Sequence, residues 1–361
     1  MTATKALHDL GQSLWLDNIT RNMLTSGTLS RYIREHSISG LTSNPTIFDH
    51  AIKNSQDYDV SIRNKLKQDR SGDELFLDLA LQDITAAADL FRPIHDRTLG
   101  VDGWASLEVS PLLAHNTKTT IAVAKDLHAR AGRPNVFIKI PGTREGLPAI
   151  EESIFAGVPI NVTLLFSREQ YLAAAEAYMR GIERRIDAGL DPYVNSVASV
   201  FVSRWDAAVM GKVPDALRGQ LGIAIAKSIY KAYCTLLTSP RWMRAYNSGA
   251  RPQRLLWAST GTKDPKASDI LYIKALAAPF TVNTMPEGTL KAFADHGEAG
   301  AVLTAEGGDA EEVLARFAAA GVDCDALAGT LQEEGANSFV KSWNDLMGVI
   351  SSKCAALEKA G

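Results

Sequence analysis

The sequence predicts an α/β chain folded as a single (β/α)8 (TIM) barrel, on three observations. Short runs rich in β-branched and aromatic residues recur eight times along the chain and are bounded by turn residues. Sequence of helical character follows each run. Polar residues gather in the later part of these runs, where a barrel of this kind assembles its site from several strands at once. Strands alternating with helices argue for a parallel sheet, and eight such units argue for its closure.

Taken in order, the first run is SLWLDN (13–18) and the second is ISGLTSN (38–44), which leads into Asn44-Pro45, a turn and helix-start signal. The stretch from about 45 to 100, with the polar RNKLKQDRSGDE (63–74) inside it, is too long for one loop and predicts additional helices. WASLEVS (104–110) and VFIKIPG (136–142) are the third and fourth runs, the latter stopped by Pro141-Gly142. PINVTLLF (159–166) is the fifth, and a well-marked helix follows it. Ser167 and Gln170 have the spacing of a capping box, and Leu172, Ala175, Met179, Ile182 and Ile186 follow a 3-4-3-4 helical spacing. Gly189 supplies the stop. VASVFVS (197–203), RLLWAST (254–260) and FTVNTMP (280–286) complete the eight. Beyond Pro286, Ala/Glu-rich segments such as AEEVLARFAAAG (310–321) are helical in period. No internal repeat or linker stands out. The expectation is one domain over residues 1–361, with the barrel at about 10–287 and a helical C-terminal extension at about 288–361.

Bulk properties exclude several functions. A chain of 361 residues buries most of its apolar surface without staples. A net charge of −3 and a pI near 6.2 lack the basic excess of a nucleic-acid binder. Cys234, Cys324 and Cys354 are odd in number and widely spaced, which suggests neither a disulfide framework nor a zinc site. The 7 histidines form no HxxxH or HxH pair, so no metal is expected. The N-terminal MTATKALHDLGQSLWLDN has no apolar signal core, and no segment approaches the ~18 apolar residues of a membrane span. A soluble protein of the reducing cytoplasm is expected, without nucleic-acid or membrane partners.

Within VFIKIPG one residue is out of place. Lysine is almost never fully buried unless something pairs with it or uses it, yet Lys139 stands between Ile138 and Ile140 in a run that reads as a buried strand. Alternate strand residues share a face, so Thr42 goes with Asn44, Ser106 with Glu108, and Asn161 with Thr163. Asp17, Lys139, Ser199, Ser259 and Asn283 also lie late in their runs. Singly, each has a plain reading. Asp17 reads as a helix N-cap, Asn44 as a turn, Glu108 as a strand exit and Thr163 as a strand former. Lys139 reads as a residue that snorkels to water. Jointly, a lysine among Asp, Glu, Asn and Thr suits nucleophilic catalysis by an amine on a carbonyl substrate. A free lysine amine is almost entirely protonated at pH 7, and burial in an apolar wall disfavours the charged form. Nearby carboxylates would move protons, and side-chain amides would hold substrate hydroxyls.

GLTSNPTIF (40–48), SLEVS (106–110), IKIPGT (138–143) and INVTLLFS (160–167) resemble the signature blocks of the transaldolases, in that family's order. The likeness runs from about residue 10 to past residue 300, and LGQSLWLDNITR (10–21) and LLWASTGTKDP (255–265) are similar to its longer bacterial branch. The resemblance implies a barrel of the class I aldolase type that works without metal or cofactor. In it Lys139 matches the imine-forming lysine and Asp17 the acid/base for the C4 hydroxyl of the sugar. Glu108 and Thr163 match the pair that holds the catalytic water. Asn44 and Asn161 match residues that bind the retained dihydroxyacetone unit, while Thr42, Ser199 and Phe201 line the same site. Arg204 matches the first of two phosphate-binding arginines. At the second place this chain offers Lys263, with Ser259 beside it. Lysine binds phosphate as a point charge and lacks the bidentate fork of arginine. The implied substrates are sugar phosphates and the implied assembly is a monomer or a homodimer.

Three other readings stand beside this one. A lyase on the same barrel would release the fragment to water, although related free aldolases are much shorter and carry glutamine where this chain has Glu108. A sugar-phosphate-binding barrel without turnover would be expected to lack the lysine or the carboxylates. The chain could also be one module of a longer polypeptide.

Overall fold

The computed structural model describes residues 2–359. Eight strands form a parallel sheet: β1 (Ser13–Leu16), β2 (Ile38–Thr42), β3 (Trp104–Glu108), β4 (Val136–Pro141), β5 (Ile160–Leu165), β6 (Ser196–Phe201), β7 (Gln253–Ala258) and β8 (Val282–Met285). They are joined in sequence order, and β8 pairs back onto β1 to close a barrel. Every strand residue is buried, as expected for strands covered by helices on one face and packed inside on the other. The sheet ends earlier than the sequence runs do. SLWLDN leaves it after Leu16, ISGLTSN after Thr42 and RLLWAST after Ala258. Residue type marks extended chain, but only the neighbouring strand decides where the hydrogen-bond ladder stops. Asp17, Asn44 and Ser259 therefore sit just past their strands, on the loops of the C-terminal face.

The long β2–β3 connection holds three helices, Pro45–Lys53, Asp59–Leu66 and Gly72–Arg97. Helix Arg168–Asp187 carries both halves of the Ser167/Gln170 capping box, and Gly189 follows it at φ +69°. Its buried face includes Ala175, Met179 and Ile182, whereas Leu172 is exposed. Tyr171 and Tyr178, larger and partly polar, take the inward positions. No described helix is long and apolar enough to cross a membrane.

The lower half of the barrel is filled by rings. Trp104 stacks on Phe137 at 4.0 Å between centroids, and Trp15 lies 6.1 Å from Phe137. Gly40 makes room for Trp15, since a Cβ there would come within 2.6 Å of the indole. With the floor occupied by these rings, the barrel opens at its C-terminal mouth.

Three helices follow β8: Glu287–His296, Ala310–Ala319 and the 36-residue Cys324–Lys359. The last of these packs on helix Pro45–Lys53 and runs beside the ends of β4 and β5. Gln332 Nε2 donates to the carbonyls of Gly142 (3.1 Å) and Leu164 (2.9 Å), and Trp343 meets Phe76 edge-on at 5.1 Å. Lys353 pairs with Asp59 at 2.7 Å.

Candidate active site

A cavity opens at the mouth, walled by residues from the ends of most strands and by two residues of the C-terminal helix. Lys139, on β4 and only 5% exposed, reaches into it. The β3–β4 register sets Glu108 directly beside Lys139, and Lys139 Nζ donates to Glu108 Oε2 at 3.0 Å and to the Ser43 carbonyl at 3.4 Å. Both partners are about 6% exposed, so this is a buried ion pair that loses far more when broken than it gains by forming. Burial pushes the Glu108 carboxyl above its ordinary range, against the pull of Lys139. A carboxyl so raised both gives and takes protons more readily near neutrality.

Asp17 caps no helix; the helix after it begins at Arg21 under Thr20. Its Oδ1 accepts from Thr42 Oγ1 at 2.7 Å, and Thr42 is in turn 2.8 Å from Thr284 Oγ1. Desolvation raises the Asp17 carboxyl above 3.8, opposed by Lys139, by the Thr42 hydrogen bond and by Lys263. The fold therefore favours its protonated form. Stability from this group is greatest below the unfolded pKa and falls as pH rises through the raised folded value. Asp17→Asn is thus expected to be more stable than the parent at pH 7, with the two converging below about pH 4. Each tenfold change in the acid constant is worth about 1.4 kcal/mol. Denaturant unfolding at both pH values checks this, and a variant less stable at pH 7 would contradict it.

Asn44 serves two ends. Its Oδ1 caps helix Pro45–Lys53 by accepting from Ile47 N, which leaves its amide N–H groups for the cavity that it lines. Thr163 lines the cavity too, and its buried Oγ1 has no hydrogen-bond partner among the described residues. Just after it, β5 shifts register and Leu164 takes a left-handed φ of +59°. Such an irregularity re-aims side chains at a barrel rim. Here it also presents the Leu164 carbonyl to Gln332.

Asn161 and Glu108 lie behind the cavity wall rather than on it. Asn161 accepts from Ser199 Oγ at 2.7 Å and donates to Ser106 Oγ at 3.1 Å, which orients the Ser199 hydroxyl on the wall. Phe201 lines the wall below Arg204, whose guanidinium lies 5.2 Å from the ring. Arg204 makes no ion pair or hydrogen bond among the described residues, and burial lowers its pKa. A partly buried, unpaired guanidinium is a ready anion receptor. Lys263 stands exposed on the loop after β7, and Ser259, at φ +54°, shares a 2.9 Å hydrogen bond with Ser203.

Asn283 is not on this wall. It faces the other side of β8, where its Oδ1 accepts from Thr260 at 3.2 Å, and Thr284 takes the inward place. Asn283 and Thr284 are adjacent polar residues in this run, so they fall on opposite faces, and composition does not say which of the two alternate sets turns inward. Thr46, Ser338 and Phe339 also line the cavity and were not anticipated. The nearest sequence signal is Gly335 inside a helical stretch. A Cβ there would lie 2.9 Å from Leu164 and 3.3 Å from Arg204, which marks close approach of this helix to the site. Among the described residues no group of three or more His, Cys, Asp or Glu is placed to hold a metal ion.

Fold and site together define a (β/α)8 barrel enzyme with a buried lysine–carboxylate centre at the C-terminal mouth. The family described as Transaldolase/Fructose-6-phosphate aldolase matches residues 14–350. The chain is 44% identical over 359 residues to the transaldolase of Parafrankia sp. (strain EAN1pec), covering 96% of this chain and 97% of that one. It is 43% identical over 359 residues to the transaldolase of Thermobifida fusca (strain YX), covering 97% and 98%. It is 43% identical over 350 residues to that of Saccharopolyspora erythraea, covering 95% of each. The chain belongs to the transaldolase family, and it is an enzyme of the transferase type.

Proposed function

We propose that the enzyme transfers a dihydroxyacetone unit through a Schiff base on Lys139. The donor is sedoheptulose 7-phosphate or fructose 6-phosphate, and the acceptor is glyceraldehyde 3-phosphate or erythrose 4-phosphate. The setting is the non-oxidative pentose phosphate pathway of the cytoplasm, with no metal or cofactor required. The observation that carries this reading is the Lys139 amine, buried at the barrel mouth 3.0 Å from a carboxylate that can take its proton. The freed amine attacks the ketone at C2, and Glu108 with Thr163 handles the water that leaves and later returns. The protonated imine accepts the electron pair as the C3–C4 bond breaks, and Asp17 takes the proton of the C4 hydroxyl. Asn44 and Asn161 hold the hydroxyls of the retained unit, Asn161 by way of Ser199.

Borohydride reduction in the presence of fructose 6-phosphate tests this directly. A reduced three-carbon adduct is expected on Lys139 by peptide mass spectrometry, and an adduct confined to another lysine would reject the assignment. Release of the fragment to water is the second reading, because the family description also names a fructose-6-phosphate aldolase. Glu108 and near-full-length relatives called transaldolase favour transfer. Comparing free dihydroxyacetone with product formed on erythrose 4-phosphate separates the two.

Arg204 and Lys263 are assigned to the phosphate. Charge-assisted hydrogen bonds of this kind contribute ~1.5–3 kcal/mol, so Arg204→Ala is expected to raise KM for phosphorylated donors about ten- to hundredfold. Donors without phosphate should change far less, since they offer the guanidinium nothing to hold. Lys263→Ala is expected to show the same selectivity at smaller size, because an exposed, flexible ammonium gives one contact where guanidinium gives two. Equal losses on both kinds of donor would remove Lys263 from this role.

A further inference from the structure

Polar groups and one aromatic ring lie close to Lys139 Nζ. Glu108 and the Ser43 carbonyl bond to it, and Asp17 and Thr163 share its cavity. The ring is that of Phe339 of the C-terminal helix, 6% exposed, whose centroid lies 5.6 Å from Nζ. That distance is within the ~6 Å reach over which an aromatic face attracts a cation. Anchors bracket the ring on both sides. Gln332 holds the ends of β4 and β5, while Ser342 Oγ lies 2.8 Å from Thr46 Oγ1 and Trp343 is buried against Phe76. These contacts fix the helix backbone from which the ring projects. It offers the sugar no hydrogen bond, so its contribution at this place is cover.

We infer that Phe339 is a specificity-determining residue that decides the fate of the three-carbon adduct, shielding it from bulk water so that an acceptor aldehyde takes it instead. This rests on the Schiff-base reading above. Once the first aldehyde has left, the unit is an enamine on Nζ, and two outcomes compete. In transfer, its nucleophilic carbon forms a bond to the carbonyl carbon of the acceptor, whose oxygen takes a proton. The resulting imine is then hydrolysed by the water held at Glu108 and Thr163. In loss, the same carbon takes a proton from solvent, water adds to C2, the C2–N bond breaks, and dihydroxyacetone leaves the free amine. Both routes restore Lys139 and need neither oxidant nor reductant. They differ in whether solvent reaches a carbon two bonds from Nζ, on which the Phe339 ring closes. Excluding water from a reactive intermediate is a recognised way to suppress its side reactions.

The test is the ratio of dihydroxyacetone released to product transferred, with fructose 6-phosphate as donor and erythrose 4-phosphate as acceptor in deuterated water. Phe339→Ala is expected to raise that ratio about tenfold, with deuterium in the released fragment. Phe339→Leu keeps the cover without the ring and is expected to stay near the parent ratio. A ratio for Phe339→Ala within twofold of the parent, while borohydride still traps the adduct on Lys139, overturns the inference. So does a Leu variant that leaks as much as the Ala variant, since the ring would then act by charge attraction and not by cover. Should Phe339→Ala fail to fold, Phe339→Val carries the same expectation at smaller size. No adduct on Lys139 in the parent enzyme is a different result, and it removes the Schiff-base reading first.

Discussion

Lys139→Ala is expected to lower transfer activity by about 10⁴-fold or more, the scale on which loss of a covalent nucleophile acts. The amine is the group that bonds to C2 in the proposed mechanism, and neither Glu108 nor Asp17 can replace an electron-accepting imine. The alanine variant also leaves Glu108 buried without its partner, and breaking a buried pair from one side costs about 3–5 kcal/mol. A loss of fold could therefore imitate a loss of chemistry. Lys139→Arg separates them, because guanidinium keeps a positive charge opposite Glu108 but forms no imine under these conditions. It is expected to be folded by circular dichroism and equally inactive. Residual activity within tenfold of the parent in either folded variant would show that the nucleophile lies elsewhere.

Glu108→Gln is expected to cost about 10²–10⁴-fold, the usual contribution of one general acid or base. The size of the side chain is kept, so the loss reports on the charge and proton of the carboxylate and not on packing. Its signature is kinetic. Glu108 touches Nζ, and borohydride trapping should therefore slow along with turnover. Asp17 accepts from Thr42 instead and makes no hydrogen bond to Nζ, so Asp17→Asn should slow cleavage while the imine still forms. If Asp17→Asn abolished trapping as well, this division of labour would be wrong.

The barrel was legible because its strands are buried on both faces and read as compact apolar runs, and Lys139 was legible as the residue that breaks such a run. The candidates from β2 to β6 follow from alternation inside those runs. Alternation was undecided at β8, where Asn283 and Thr284 are adjacent polar residues on opposite faces and only the pairing with β1 sets Thr284 inward. Asn44 was legible as a helix start, and its second task, lining the cavity, depends on a loop position that only the closed barrel sets. Leu164 could not be foreseen, since a leucine in the left-handed region carries no compositional mark and persists only because its surroundings hold it there. Phe339 was out of reach for a similar reason. A phenylalanine at helical spacing reads as core, and what it covers is fixed by tertiary docking far along the chain.

That docking has a consequence in time. The last barrel strand ends at Met285, so the ribosome has supplied every strand well before it reaches Phe339. At about 5–20 residues per second, the interval lasts on the order of seconds. During that interval the chain can carry a closed or closing barrel whose amine is already paired with Glu108 but has no ring above it. A nascent chain stalled after β8 has left the ribosome but before Phe339 has would present Lys139 to small aldehydes and ketones as the finished molecule does not. The helix that completes the mouth is thus also the element that ends a period of unguarded reactivity, and it is the last described part of the molecule to be made.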